Sequence, residues 1–364
     1  MAIRTFKSII MNIVGEKVVR WYKKENITMP WRKTFEPYNI WISEIMLQQT
    51  QVHTAIPYYA RWINKFPNIK VLSKAQIDQV LKIWEGLGYY KRAHNIYDSS
   101  KIIIKTYNGK IPKTYVELIS LKGIGDYTAS AILSIAYNKP YPVVDGNIKR
   151  VFSRLFSIKQ PLKIIQKAKK EMLLYMSDSQ PRDVNQALMD FGREICSPQL
   201  PKCDLCILNQ SCKAYVNNEV FKYPPKNKVK IKPTYNVIVG LIWKNNKLLI
   251  SKRKKEKLLG GLWELPGGKK NNNEQTAACL KREIFEELDI HIDIKQRFGS
   301  IKHQYSHFNI NLIGYCCDYK KGRAKPLSSD EIKWITLKQI KNFAFPKSTL
   351  KLFNLYEKNY RNNT

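Results

Sequence analysis

Through the first 217 residues, apolar side chains recur at every third or fourth position. "WISEIMLQQTQVHTAIPYYARWI" (41–63) and "VNQALMDFGREIC" (184–196) are examples, and the spacing predicts helix after helix. Pro57, Pro67, Pro112, Pro140 and Pro142 punctuate the run. Then "EVFKYPPKNKVKIKP" (219–233) breaks the pattern with adjacent prolines and five lysines, the chemistry of a linker. After it the period changes. "TYNVIVGLIWKNNKLLISKR" reads as strand, Asn-Asn turn and strand, and "FNINLIGYCCDY" as a further strand. A helix over 274–288 lies between them. The pattern predicts a helical domain over 1–217, a linker over 218–232 and an α+β domain over 233–364.

The N-terminal "MAIRTFKSIIMNIVGEKVVRWYKK" reads as an amphipathic helix, because Lys7, Glu16 and Lys17 interrupt its apolar stretch and no small-residue cleavage site follows. No apolar run approaches the roughly 20 residues of a membrane span. A cytoplasmic protein without a membrane partner is the expectation. Charge sharpens this. Against 29 acidic residues stand 63 basic ones, for a net +34, which suits a polyanionic partner. Only 14 of the basic residues are Arg, and the excess of Lys, Asn and Ile is also the drift of an A/T-rich genome. Phosphate contacts therefore have to be argued locally.

Four of the seven cysteines, Cys196, Cys203, Cys206 and Cys212, follow C-x6-C-x2-C-x5-C. This clustering opposes a disulfide framework and favours metal in a reducing compartment. Four thiolates can hold a [4Fe-4S] cluster or a structural zinc, and one short hook between two longer arms favours iron–sulfur. Upstream, "LKGIGDYTAS" (121–130) reads as two helices joined by a turn of Gly123 and Gly125 around Ile124. Glycine there lets backbone N–H groups approach a phosphate, and Lys122 precedes the turn. Twenty residues on stands "VVDGNIKR" (143–150), where Asp145 reads either as a turn-capping Asp or as a site carboxylate. In "WISEIMLQQTQV", Glu44 sits among apolar neighbours. Burial there would raise its pKa and suit it to general acid work; the bland alternative is a solvent-facing Glu on an amphipathic helix.

The cysteine spacing and the glycine turn resemble the endonuclease III/MutY superfamily of helix–hairpin–helix glycosylases. "MPWRK", "WISEIMLQQTQV", "EGLGYYKRAHNI", "LKGIGDYTASAI", "YPVVDGNIKRV" and "NQALMDFG" together resemble its MutY branch, the adenine DNA glycosylases. The resemblance implies an all-α helix–hairpin–helix glycosylase domain with a [4Fe-4S] cluster loop. It implies double-stranded DNA carrying A:8-oxoguanine or A:G mispairs as partner. It also implies that Glu44 protonates adenine N7 and that Asp145 stabilises the sugar cation. Tyr127 and Asn147 would support that site, while Trp31, Arg32 and Gln186 line the adenine pocket. Gln49 and Tyr89 would fill and wedge the opened stack, core packing being the alternative for Tyr89. Lyase relatives carry a lysine where this chain has Tyr127, so water rather than an amine is expected to attack the sugar.

The C-terminal part carries Gly268, Glu274, Arg282, Glu283, Glu286 and Glu287 at the fixed positions of a Nudix box, with Asp289 in place of its last glycine. Glu283, Glu286 and Glu287 share one helical face, which is chemistry for Mg²⁺. Asp is expected to take the left-handed conformation less readily than that glycine. "HQYSHF" (303–308) resembles the 8-oxoguanine loop of the MutY version of this domain, with Ser306 and His307 as contacts and Tyr305 replacing Phe. Two rivals stay open: an endonuclease III-like lyase, disfavoured by Tyr127, and a nucleotide pyrophosphohydrolase using the box.

Overall fold

A computed structural model describes the backbone of residues 2–225 and 231–360, and the side chains of 13–225 and 231–359. Part of the expected linker, 226–230, lies outside the described residues, as does the side chain of Lys7. Packing divides the chain into two units, Met1–Ser73 with Asp98–Lys228 and Lys74–Tyr97 with Val229–Thr364.

The first unit is helical. Helices Ala2–Glu25, Gly146–Phe156, Pro161–Asp178 and Pro181–Glu194 enclose one core that includes Val14, Val18, Phe152, Met172 and Phe191. In the first of these, Val14, Val18 and Val19 are buried while Glu16, Lys17 and Arg20 are exposed, so its described side chains are two-faced. The 41–63 stretch is two helices rather than one. Pro37–Leu47 ends where Gln48 leaves the helical region, Gln49 adopts φ 56°, and Val52–Lys65 begins after the turn. Pro57 does not punctuate; it stands inside the second helix, whose buried Ala55, Tyr59 and Trp62 hold it in place despite the missing backbone donor. Gly192 is a packing requirement. A Cβ there would lie 2.7 Å from Asn147 Cβ, so its absence lets two helices meet at the start of Gly146–Phe156.

The second unit is built on a mixed sheet of β1 (Thr234–Lys244), β2 (Lys247–Arg253), β3 (Trp263–Glu264), β4 (Gly267–Lys269), β5 (Ile290–Gln304), β6 (Asn309–Gly322) and β7 (Ser329–Ile335), in the path β3-β2-β1-β6-β5. β1 runs parallel to β6 and antiparallel to β2 and β4, while β7 pairs with β2. Asn245 and Asn246 both take positive φ, which makes the expected β1–β2 turn. Both sheet faces are covered, so "VIVGLIW" is apolar without alternation. On one face Ile238 and Ile242 join a cluster with Cys279, Leu280 and Ile284 of the helix Thr276–Leu288. On the other, Val239 and Leu241 join one with Leu352 and Phe353 of Lys347–Tyr360. Helix Ile77–Trp84 belongs here too: Lys82 Nζ donates to Phe343 O at 2.8 Å, and Phe345 N donates to Glu85 Oε1 at 2.8 Å.

Candidate active site

A cavity of about 690 Å³ opens in the helical unit. Trp31, Arg32, Glu44, Gln49, Gly125, Tyr127, Asp145, Asn147 and Gln186 all line it. Residues nearly 160 positions apart in sequence thus share one wall.

Glu44 comes from Pro37–Leu47, a helix with buried residues on every side from Ile40 to Met46, and is itself only 5% exposed. It is no solvent-facing acid. Burial pushes its carboxyl up to about 7, against the opposing pull of a hydrogen bond from Tyr127 and of the Arg32 charge. Its Oε2 has no hydrogen-bond partner among the described residues. Tyr127 stands half-buried alongside, and desolvation of its hydroxyl next to Glu44 and Asp145 holds it protonated, well above the usual tyrosine range.

Asp145 caps the helix Gly146–Phe156. Its Oδ1 accepts from Ile148 N at 2.7 Å, and its Oδ2 accepts from Asn147 Nδ2 at 2.8 Å. Capping and site carboxylate are therefore one arrangement rather than alternatives. Burial raises its pKa while those donors work against the rise. Behind it, Arg150 donates to Asn147 Oδ1 at 2.9 Å, to Gly192 O at 2.6 Å and to Cys196 O at 2.7 Å. Gln186 donates to Arg182 O and leaves its Oε1 without a partner among the described residues.

At the glycine turn, Gly123 has φ 81°, which favours glycine. Gly125 is in ordinary extended backbone, and a Cβ there would meet nothing within 4 Å. The fold leaves its backbone open to close approach. Lys122 and Gly123 are absent from the cavity lining, and Lys122 pairs with Asp98 at 3.0 Å.

Cys196, Cys203, Cys206 and Cys212 line a small apolar cavity of about 30 Å³ together with Arg154, which donates to Cys196 Sγ at 3.3 Å. Burial pushes the Cys206 thiol up to about 11 and raises Cys203 and Cys212 as well. Four soft donors facing one space fit an iron–sulfur cluster in ligand chemistry. Among the described residues no three His, Cys, Asp or Glu side chains are grouped to hold a single metal ion.

Tyr89, Ser306 and His307 lie in the second unit, not on the cavity. Tyr89 has φ 49°, is 40% exposed, and hydrogen-bonds through its hydroxyl to Ser306 Oγ at 2.6 Å. Ser306 and His307 are exposed in the turn between β5 and β6, closed by Tyr305 N donating to Phe308 O at 2.8 Å. Tyr305 points inward to Ser348 Oγ at 2.9 Å. On the box helix, Arg282 clasps Glu274 at 2.8 and 3.0 Å, Glu283 at 2.8 Å and Glu286 at 3.0 Å. Glu287 instead accepts from Gly267 N and Ser328 Oγ. Asp289 takes the left-handed conformation (φ 57°, ψ 38°), so its substitution for glycine does not prevent the chain from leaving the helix.

Sequence reasoning missed Asp190, which is wholly buried, lines the cavity and grips Arg32. The signal was its place four residues after Gln186. Gln48 was also missed; it lines the cavity and donates to Thr128 Oγ1 at 3.1 Å.

Residues 42–173 match the family of HhH-GPD superfamily base excision DNA repair proteins, and residues 238–355 match the NUDIX domain. An adenine DNA glycosylase of Buchnera aphidicola subsp. Schizaphis graminum is 35% identical over 98% of this chain and 100% of its own length. One from Arabidopsis thaliana is 30% identical over 86% of this chain and 59% of its own length. Among solved structures, a thermostable thymine-DNA glycosylase is 26% identical with TM-score 0.54, over 58% of this chain and 99% of that one. A trapped endonuclease III–DNA covalent intermediate shares the fold at 20% identity and TM-score 0.50, over 58% of this chain and 98% of that one. No described helix is long and apolar enough to cross a membrane. With helical and Nudix units in the same order and near end-to-end likeness to its bacterial relative, the chain belongs to the adenine DNA glycosylase family.

Proposed function

We propose that this chain removes adenine paired with 8-oxoguanine or guanine in double-stranded DNA, as a monofunctional glycosylase of base-excision repair. Its family hydrolyses N-glycosyl bonds. The observation that carries the finer reading is Glu44: a buried carboxyl with its pKa raised to about 7, one oxygen unpartnered among the described residues, on the same cavity as Asp145. An extruded adenine would receive the Glu44 proton at N7, which makes it a better leaving group. Asp145, held by Asn147 and the helix start, would face the oxocarbenium ion at the sugar. Trp31, Arg32 and Gln186 would hold the base. Tyr127 offers no amine, so water completes the reaction and strand cleavage is slight.

The turn at Lys122, Gly123 and Gly125 would grip the phosphate backbone, and Gln49 and Tyr89 would fill the opened stack. Ser306 and His307 would read the oxidised guanine. Cys196, Cys203, Cys206 and Cys212 would hold the [4Fe-4S] cluster, which supplies a structural anchor for their loop. We further assign the domains as 1–217 and 233–364 around a linker at 218–232, and the working form as a monomer at the bacterial nucleoid. The test is a duplex with A opposite 8-oxoguanine, incubated and then split into samples with and without hot alkali. Cleavage only after alkali is expected; cleavage without alkali selects the lyase, and intact DNA in both refutes the assignment.

A further inference from the structure

Asp190 stands on the helix Pro181–Glu194, one turn beyond Gln186, with its side chain wholly buried. Two arginines close on it. Arg32 engages both oxygens, Nη1 to Oδ2 at 2.5 Å and Nη2 to Oδ1 at 3.1 Å, and Arg193 reaches Oδ1 at 3.1 Å. A fork-to-fork pair of this kind fixes the plane of the guanidinium as well as its position. Arg32 also lies 5.9 Å from the Tyr22 ring centre, and its charge is felt by Glu44.

We propose that Asp190 is a positioning residue for base excision, fixing the Arg32 guanidinium against the cavity wall and cancelling its charge towards Glu44. This rests on the reading of Glu44 as general acid and Arg32 as adenine contact. A general acid has to keep its proton until the base arrives. A bare guanidinium nearby favours the carboxylate anion and works against that. The groups bearing on Glu44 are the Tyr127 hydroxyl, Asp145 and Arg32. Asp126, Lys149, Asp190 and Arg193 are the other charged side chains on the cavity lining. Asp145 favours the protonated acid and Arg32 opposes it. Asp190, in contact with Arg32, weakens that opposition.

The experiment is single-turnover excision against pH, with saturating duplex carrying A opposite 8-oxoguanine. It compares the parent, Asp190→Asn and the double variant Arg32→Gln/Asp190→Asn. Asn keeps the shape of Asp and removes its charge. In the parent, excision falls as pH rises through the Glu44 range near 7. In Asp190→Asn that fall moves about one pH unit lower, a tenfold loss on the alkaline side. In the double variant it returns to the parent position. An unmoved profile, or one the double variant leaves displaced, overturns the proposal; a purely structural role lowers the whole profile without moving it. Should Asp190→Asn fail to fold, Arg32→Gln carries the test. With the Arg32 cation gone and Asp190 left to Arg193 alone, the fall moves to higher pH, and a profile at the parent position overturns the proposal. Failure of the underlying reading is distinguishable, because Glu44→Gln would then excise at the parent rate.

Discussion

Glu44 in the helical unit and the box carboxyls around Arg282 in the second unit are held in contrasting ways, although burial also raises Glu264 of the second unit to about 7. In the helical unit Glu44 is buried, keeps one oxygen without a partner among the described residues and has its carboxyl pushed up to about 7. In the second unit Glu274 is clasped by Arg282 and held down to about 2, while the same arginine spans Glu283 and Glu286. Residue type is the same. Glu44 stands in an environment that favours the protonated acid; the box carboxylates are tied into an ion-pair lattice. Motif matching alone ranks the box as the richer catalytic signal, yet environment favours the lone glutamate.

The largest expected effect is on excision. Asp145→Asn abolishes it most severely, since a neutral amide cannot balance the sugar cation, and Glu44→Gln lowers it by roughly 10²–10⁴-fold. Single-turnover rates on bound duplex measure both, and a Glu44→Gln rate within threefold of the parent would erase the contrast between the two carboxyl sets.

Next comes stability. A carboxyl raised above its unfolded value contributes nothing below about pH 4 and costs folding energy as pH climbs towards its folded pKa near 7. Glu44→Gln removes that cost, so at pH 8 it should be more stable than the parent by roughly 3 kcal/mol, and at pH 4 about equal. Denaturant melts at the two pH values decide this. Equal gains at both would mean that the acid is not held protonated by burial.

A smaller effect is expected at the box. The parent should release no pyrophosphate from 8-oxo-dGTP with Mg²⁺, and Arg282→Ala, by unclasping three carboxylates, should raise Mg²⁺ affinity about tenfold by calorimetry. Hydrolysis by the parent that disappears in Glu286→Gln would make the two units catalytic equals.

Much of this was legible in the chain. The change of period after residue 233 marks the change from helices to sheet, and Asn245-Asn246 marks the hairpin, because local chemistry decides both. Glu44 and Asp145 stood out because a charge amid apolar neighbours and an Asp before Gly are local anomalies. The break at Gln48–Gln51 was not read: four polar residues separate Leu47 from Val52, but none is a proline or glycine, and the left-handed Gln49 is what makes the turn. Asp190 was hidden for another reason. Its partner Arg32 is 158 residues away, and its place four residues after Gln186 puts it on the cavity face without saying that it grips an arginine.

Gln49 and Tyr89 both hold left-handed backbone, at φ 56° and 49°, where L side chains cost roughly 1–2 kcal/mol and glycine costs little. Each keeps a side chain exposed at a turn instead of relaxing. Gln49→Gly should therefore raise the melting temperature by about 2 °C while slowing excision. A laboratory selection for thermal robustness alone would drift towards glycine at both turns. If both side chains serve the opened stack as proposed, it would arrive at a sturdier protein that repairs DNA poorly, with heat resistance and repair pulling the same codons in different directions.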